Sequence, residues 1–235
     1  MNKETELENY LSFSPNKLGI YLFDKKNFEN LYKKELILNE NINTIDFITL
    51  KKFLDNNIFE IEKLSGKFLE NIFLIFENKN IFNLEMGIKK KNYNVLISKE
   101  NFKNALVEAK DLFRENYQDQ EIIHMIIKKY FIDGKSYLSL KENFKCDSFA
   151  LEINFISISN DNIYDLNKIL EKYQIKISKF IDGNYIKSFF HDHNDMNLAD
   201  MTYKILNGQN QNEVLFATKN NKKLDFFEKF FQLFS

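Results

Sequence analysis

Ser98-Lys-Glu-Asn-Phe-Lys-Asn-Ala-Leu-Val-Glu-Ala-Lys-Asp-Leu-Phe113, followed after a polar turn by Ile122-Ile-His-Met-Ile-Ile127, reads as a helix leading into a strand. Phe102, Ala105, Leu106, Ala109, Leu112 and Phe113 recur at helical spacing behind Ser98, whose hydroxyl suits an N-cap. Further on, Phe149, Leu151, Ile153 and Phe155 alternate on one face of another strand. The middle of the chain therefore has the order strand, helix, strand, strand.

Toward the N-terminus, Tyr10 to Phe13, Leu18 to Phe23 and Leu31 to Leu38 are short apolar runs separated by turn residues. Phe47, Leu50, Leu54, Ile58 and Ile61 follow at helical spacing, and Ile72 to Phe76 is a compact buried strand. This β-β-β-α-β order predicts an α/β layer. Beyond the middle unit, Ile163, Leu166, Ile169, Leu170 and Tyr173 form a helix opened by Asn160 or Asp161, and Ile175 to Ile181 is one more strand. Residues 191–221 are rich in Asn, Asp and Gln. They read as a polar linker with one short helix near Leu198 to Leu206, stopped by Asn207-Gly208.

Composition bounds the function. The 235 residues, 44% hydrophobic, suffice for one ordinary domain or two small ones. Arg114 is the only arginine, and the wealth of Lys, Asn, Ile and Phe fits an AT-rich coding bias rather than a chemistry. A formal net charge of -1 argues against nucleic acid, and Lys89-Lys90-Lys91 reads as a solvated hairpin or loop. Cys146 stands alone, so no intrachain disulfide or Cys-based metal site is expected, which fits a reduced cytosolic compartment. No run approaches the ~20 apolar residues of a bilayer span, and the polar first residues do not resemble a signal peptide.

Few residues suggest catalysis. His191-Asp-His193-Asn-Asp195 has metal-ligand residue types but lacks a further fixed set, and a polar tether is the preferred reading. His124, between isoleucines and without a matched nucleophile, reads as a satisfied core histidine. Ser65-Gly66-Lys67 lacks the Gly-rich spacing of a phosphate loop and reads as a helix stop. No catalytic, cofactor-binding or metal-ligating residue is assigned.

The final segment is different. In Lys222-Lys-Leu-Asp-Phe-Phe-Glu-Lys-Phe-Phe-Gln-Leu-Phe-Ser235, Phe226, Phe227, Phe230, Phe231, Leu233 and Phe234 share one side of a helix, with Leu224 at its edge. Five phenylalanines on one face require burial against the chain's own core, a partner or a membrane surface. Lys222, Lys223 and Lys229 beside that face suit anionic headgroups. Full burial of a Phe contributes about 1.5–3 kcal/mol. Shallow insertion recovers part of that, so one copy binds reversibly and self-association would strengthen it.

The middle of the chain resembles the bacterial cell-division protein family FtsA, over roughly Tyr10 to Phe190. That family's landmark, His-x-Ile-Pro followed by Tyr-x-Ile-Asp-Gly, is similar to His124-Met-Ile126-Ile127 and Tyr130-Phe-Ile132-Asp133-Gly134. Phe82-Asn-Leu-Glu-Met-Gly87 looks like the first strand of the family's inserted module, Val107-Glu-Ala-Lys110 like its helix, and Leu151 to Ser157 like its closing strand. The resemblance implies an α/β (α+β) fold. It would be a remnant of an actin-like first lobe (the 1A layer, residues 1–82 and 159–190) with an inserted SHS2 (strand-helix-strand-strand, 1C-like) subdomain at 83–158. The linker at 191–221 and an amphipathic membrane-targeting helix at 222–235 would complete it.

Departures from the family pattern shape the expected function. Where actin-like ATPases carry an acidic, glycine-containing phosphate loop, this chain has Ser12-Phe13-Ser14-Pro15, which argues against ATP binding. The Gly-Gly-Gly-Thr loop of a second lobe is not present, and Leu138 to Lys145 replaces a glycine-bearing module loop. The expectation is a non-enzymatic adaptor without cofactor, peripheral on the cytoplasmic face of the membrane. It would bind lipid through Leu224, Phe226, Phe227, Lys229, Phe230, Phe231, Leu233 and Phe234, and division proteins or itself through the SHS2 region. The alternative is a soluble interaction module, or a pilus-assembly adaptor of the PilM type, with the terminal helix docked on protein.

Overall fold

Three apolar runs separated by tight turns form strands β1 (Leu7–Ser14), β2 (Lys17–Asp24) and β3 (Glu29–Ile37). The computed structural model that places them describes residues 6–38, 47–77, 81–139, 145–192 and 196–215. Helix α1 (Phe47–Ser65) leads to β4 (Asn71–Phe76). Gly66, at φ +67°, ends α1 in the left-handed region, and its N–H bonds the Glu62 carbonyl at 2.9 Å. Ser65-Gly66-Lys67 is therefore a helix stop.

The chain divides into two units, Met1–Ile81 with Asn160–Asn207 and Phe82–Ser159 with the residues from Gly208 onward. The first is a five-stranded sheet of order β3-β2-β1-β4-β9, where β9 is Lys176–Asp182. The β1–β2 and β2–β3 pairs are antiparallel, whereas β4 runs parallel to both β1 and β9. Ile72, Leu74 and Ile75 of β4 are wholly buried, as a central parallel strand covered on both faces requires. On one face, Tyr10, Tyr21, Phe23, Ile75 and Ile181 pack with residues of α4 (Gly183–Phe189) and α5 (Leu198–Leu206). On the other, α1 lies over β2 and β3, and Tyr32 donates to buried Asn57 of α1 at 2.6 Å. Tyr173, in a 3-10 turn after α3 (Asn160–Leu170), donates to Asp55 of α1 at 2.7 Å.

The second unit is a four-stranded antiparallel sheet of order β5-β8-β6-β7, with helix α2 (Lys99–Asn116) on one face. Its strands are β5 (Phe82–Leu96), β6 (Gln120–Ile132), β7 (Lys135–Tyr137) and β8 (Lys145–Ser159). Ser98 caps α2: its hydroxyl accepts from Asn101 N–H at 3.2 Å, and the Asn101 side chain accepts from Ser98 N–H at 2.8 Å. Phe102, Ala105, Leu106, Ala109 and Phe113 are buried against the sheet, whereas Leu112, read as part of that stripe, is 40% exposed. Asp133 (φ +45°) and Gly134 (φ +81°) make the two-residue turn between β6 and β7, where both central residues need the left-handed region. Asp133 Oδ1 also accepts from the N–H groups of Asp147 and Ser148, each at 2.9 Å.

Two expectations are corrected. Lys89-Lys90-Lys91 is neither hairpin nor loop: it lies inside β5, paired with Ala150, Phe149 and Ser148 of β8. Charged side chains are tolerated there because β5 is an edge strand whose backbone is satisfied on its inner side. The linker reading of 191–221 fails over residues 196–215. Asn197 caps α5, and Ala199 and Ile205 are fully buried. Asn207 and Gly208, the latter at φ +84°, end the helix as expected. Polar composition hid this packing because the buried positions of α5 recur every three or four residues among polar ones. We expect Ile205→Ala to lower unfolding free energy by about 2–5 kcal/mol in chemical denaturation, against essentially no change for a residue in a tether.

Candidate functional site

Parallel strands β1, β4 and β9 end side by side, and open α/β sheets hold ligands beyond such carboxyl ends. A cleft of about 470 Å³ lies there, lined by Ser14, Pro15, Asn16, Lys17, Ile37, Glu77, Asn184 and Lys187. Near these strand ends, Phe13 of β1 stacks on Phe76 of β4 at 5.1 Å between ring centroids, and Phe76 on Phe180 of β9 at 6.0 Å. The β1–β2 turn forms one wall. Ser14 pairs with Lys17 across it, and the Ser14 hydroxyl reaches both Asn16 Oδ1 (3.2 Å) and the Lys17 carbonyl (3.1 Å). Pro15 supplies no N–H, so the turn offers a ligand one backbone donor fewer.

The charges around the cleft neutralise one another. Lys17 Nζ lies 2.9 Å from Glu35 Oε1, which also accepts from Tyr21 at 3.0 Å and faces Lys33 at 3.5 Å. Burial alone would push the Glu35 carboxyl up. Hydrogen bonds from Lys17 and Tyr21, with the Lys17 and Lys33 charges, outweigh it and hold the group below its ordinary value. Burial foremost pushes the Tyr21 hydroxyl far up, keeping it a neutral donor. Lys187 pairs with Glu77, whose N–H bonds the Phe13 carbonyl at 2.7 Å. Gly183 is needed beside them, since a Cβ there would lie 2.5 Å from the Glu77 side chain and 3.1 Å from the Phe76 carbonyl. Asp182 caps α4, accepting from the N–H groups of Asn184 (3.0 Å) and Tyr185 (3.3 Å). An anion entering this cleft would meet two lysines already paired and a helix start already held by a carboxylate.

The other sequence-derived candidates fall elsewhere. His124 is fully buried in β6, with Nδ1 2.7 Å from Glu213 Oε1, itself buried. This is the satisfied core histidine expected, but its partner lies 89 residues away, and no local signal could have identified it. Around Glu213, residues 212–214 lie along the edge of β6. Ile127 N–H bonds the Asn212 carbonyl at 2.9 Å and Val214 N–H the Met125 carbonyl at 2.8 Å. Removing one partner of such a buried hydrogen-bonded pair leaves the other's polar atom unsatisfied, which costs about 1–3 kcal/mol. His191 is exposed, with Nδ1 3.1 Å from the Ser188 carbonyl, while His193 and Asp195 lie outside the described residues. Among the described residues no three His, Cys, Asp or Glu side chains are grouped to hold a metal. The proposed lipid contacts, Leu224 to Phe234, lie outside the described residues.

No protein-family model matches the chain, and no curated protein matches it. Among solved structures it is similar to a Bacteroides thetaiotaomicron protein with an actin-like ATPase fold and unknown function: 13% identity over 80% of this chain and 57% of that one, TM-score 0.35. It is also similar to the cytoplasmic domain of EpsL, an inner-membrane component of the type II secretion system of Vibrio cholerae, with 8% identity over 77% of this chain and 58% of that one, TM-score 0.38. A third similarity is to the PilM–PilN type IV pilus biogenesis complex, with 8% identity over 79% of this chain and 49% of that one, TM-score 0.46. The chain thus spans about half to three fifths of the length of these structures.

The cleft's charge balance is testable through pH. A carboxyl whose folded value lies below its unfolded one contributes stability above the unfolded value and loses it as pH falls through the folded value. Glu35→Gln should therefore flatten the acid limb of the stability–pH curve, measured by urea unfolding between about pH 3 and pH 6, and leave its slope near neutrality unchanged.

Proposed function

We propose that this chain is a non-enzymatic, FtsA-like adaptor that works at the cytoplasmic face of the membrane. Leu224, Phe226, Phe227, Lys229, Phe230, Phe231, Leu233 and Phe234 would hold it to lipid, and the unit built from β5 to β8 would bind division proteins or a further copy of the chain. The observation that carries the reading is the state of the cleft at the ends of β1, β4 and β9. Lys17 and Lys187 are paired with Glu35 and Glu77, Asp182 occupies the start of α4, and Pro15 stands in the turn. A triphosphate needs free N–H groups and cations in one cradle, and these residues make a poor one. An adaptor has no such need.

A second reading, in which the terminal helix docks on protein, is favoured by one observation. Residues 197–214 pack into the folded units, so residues 216–221 alone separate Leu215 from Lys222. Six residues span at most about 20 Å, a short tether for reaching a bilayer. Cosedimentation with vesicles containing anionic lipid separates the two readings. The adaptor reading expects the full chain to pellet and a chain lacking residues 222–235 to stay in solution; equal behaviour of the two would sink the membrane claim. In parallel, titration calorimetry with Mg-ATP should give no saturable heat, and tight binding would overturn the account of the cleft.

A further inference from the structure

Strand β5 forms an outer edge of the four-stranded sheet. It runs against β8 in unbroken antiparallel register from Phe82 to Lys91 and is interrupted only beyond that, between Lys91 and Val95. The interruption is built in: Tyr93 (φ 53°) and Asn94 (φ 56°) turn left-handed, and buried Asn92 ties the bulge down through the carbonyls of Val95 (2.5 Å) and Cys146 (3.3 Å). A regular edge of ten residues, Phe82 to Lys91, is thus held ready. A long, regular strand at a sheet edge templates pairing with another strand unless something blocks it.

Its two faces are chemically distinct. Phe82, Leu84, Met86 and Ile88 face the apolar core, and Lys90 pairs with Glu108 of α2. Asn83, Glu85, Gly87, Lys89 and Lys91 alternate with them and are exposed. Among the described residues nothing requires a glycine at 87: a Cβ there would meet none of their atoms within 4 Å and its φ is not in the left-handed region. Glycine inside a strand is otherwise unfavourable and often marks the close approach of another backbone.

We infer that β5 pairs antiparallel with β5 of a second copy, about a twofold axis through Gly87. Paired residues must share a face, so the two residue numbers in each pair sum to an even value. The Gly87 axis pairs Asn83 to Lys91 completely. It sets Glu85 opposite Lys89 of the partner twice, Met86 opposite Ile88, and Gly87 opposite itself. Moving the axis to Met86 leaves Glu85 opposite glycine, and moving it to Lys89 sets like charges opposite each other, which is unfavourable. An axis at Ile88 keeps one kind of charge pair, Glu85 with Lys91, but pairs fewer residues. The lysine run therefore discourages other registers and complements this one. The partner so named deepens the adaptor reading, because two copies would double the lipid contacts. The pairing itself rests on the β5 to β8 unit alone.

The test uses the full chain. Sedimentation velocity should show a concentration-dependent dimer. Glu85→Lys and Lys89→Glu should each weaken it about tenfold by placing like charges opposite each other, and the double exchange E85K/K89E should restore it. Gly87→Cys should cross-link to itself on mild oxidation, since directly opposed strand residues lie about 4.5–5.5 Å apart at Cα, within disulfide reach. Asn83→Cys alone should not, and Cys146 is buried. A monomer at all concentrations, a dimer indifferent to Glu85→Lys, a double exchange that fails to recover, or no Gly87→Cys cross-link would each overturn the proposal. Dimerisation without vesicle binding would sink the membrane claim and leave the pairing standing.

Discussion

The parallel pairing of β4 with β1 and β9 is the constraint on which the first unit depends. Strand β4 begins with Asn71 and its partner β9 with Lys176, so their ladder closes only after the whole β5 to β8 unit and α3 have been made. A central parallel strand must be covered on both faces, since either face left bare would expose Ile72, Leu74 or Ile75 to water. Helix α4 packs on β4 and shares that face with α5, while α1 lies over β2 and β3 and α3 packs on β9. The second unit is thus an insertion in one crossover. It carries its own core around Phe113, Ile153 and Phe155, all fully buried.

That same pairing brings three strand ends together and so creates the cleft. A fold that places strand ends this way is a general device for holding ligands, and which ligand, if any, is held depends on the side chains set around it. Here the lysines have carboxylate partners and the short helix has its own acidic cap. The arrangement stabilises the turn and α4 at the expense of an open anion site. The strand ends give the architecture of a binding site and the side chains around them set its chemistry, which is why fold alone is a poor guide to activity.

In the second unit the two sides of the sheet are treated differently, because β7 pairs with β6 only over Tyr130 to Ile132 and leaves the earlier part of β6 at an edge. The β6 edge is covered where residues 212–214 return to it, and His124 with Glu213 closes that contact as a buried pair. The β5 edge carries no such cover among the described residues. It ends in a bulge and bears charge of both signs on its outer face. Natural sheets blunt unwanted edges with short strands, prolines, bulges and charged side chains, lysine above all. An edge that is long and regular and self-complementary about one residue suits pairing with its own copy.

Features under local control were legible in the order of residues alone. Ser98 opens α2, Gly66 and Gly208 stop helices, and alternation marks β8, because caps, helix stops and strand faces depend on residues a few positions apart. The succession of strands and helices along the α/β layer followed from the same periodicities. Relations between distant residues emerged only once the chain was folded. Lys89 to Lys91 are a strand rather than a loop because β8 pairs them. Residues 196–215 are folded rather than tethered because α5 has an apolar sheet face to cover and β6 an edge to fill. Helix α4, seven residues long, escaped notice because nothing local but Asp182 announces it. The partners of Lys17, Lys187 and His124 lie 18, 110 and 89 residues away, and no pattern in a single sequence encodes a contact across that distance.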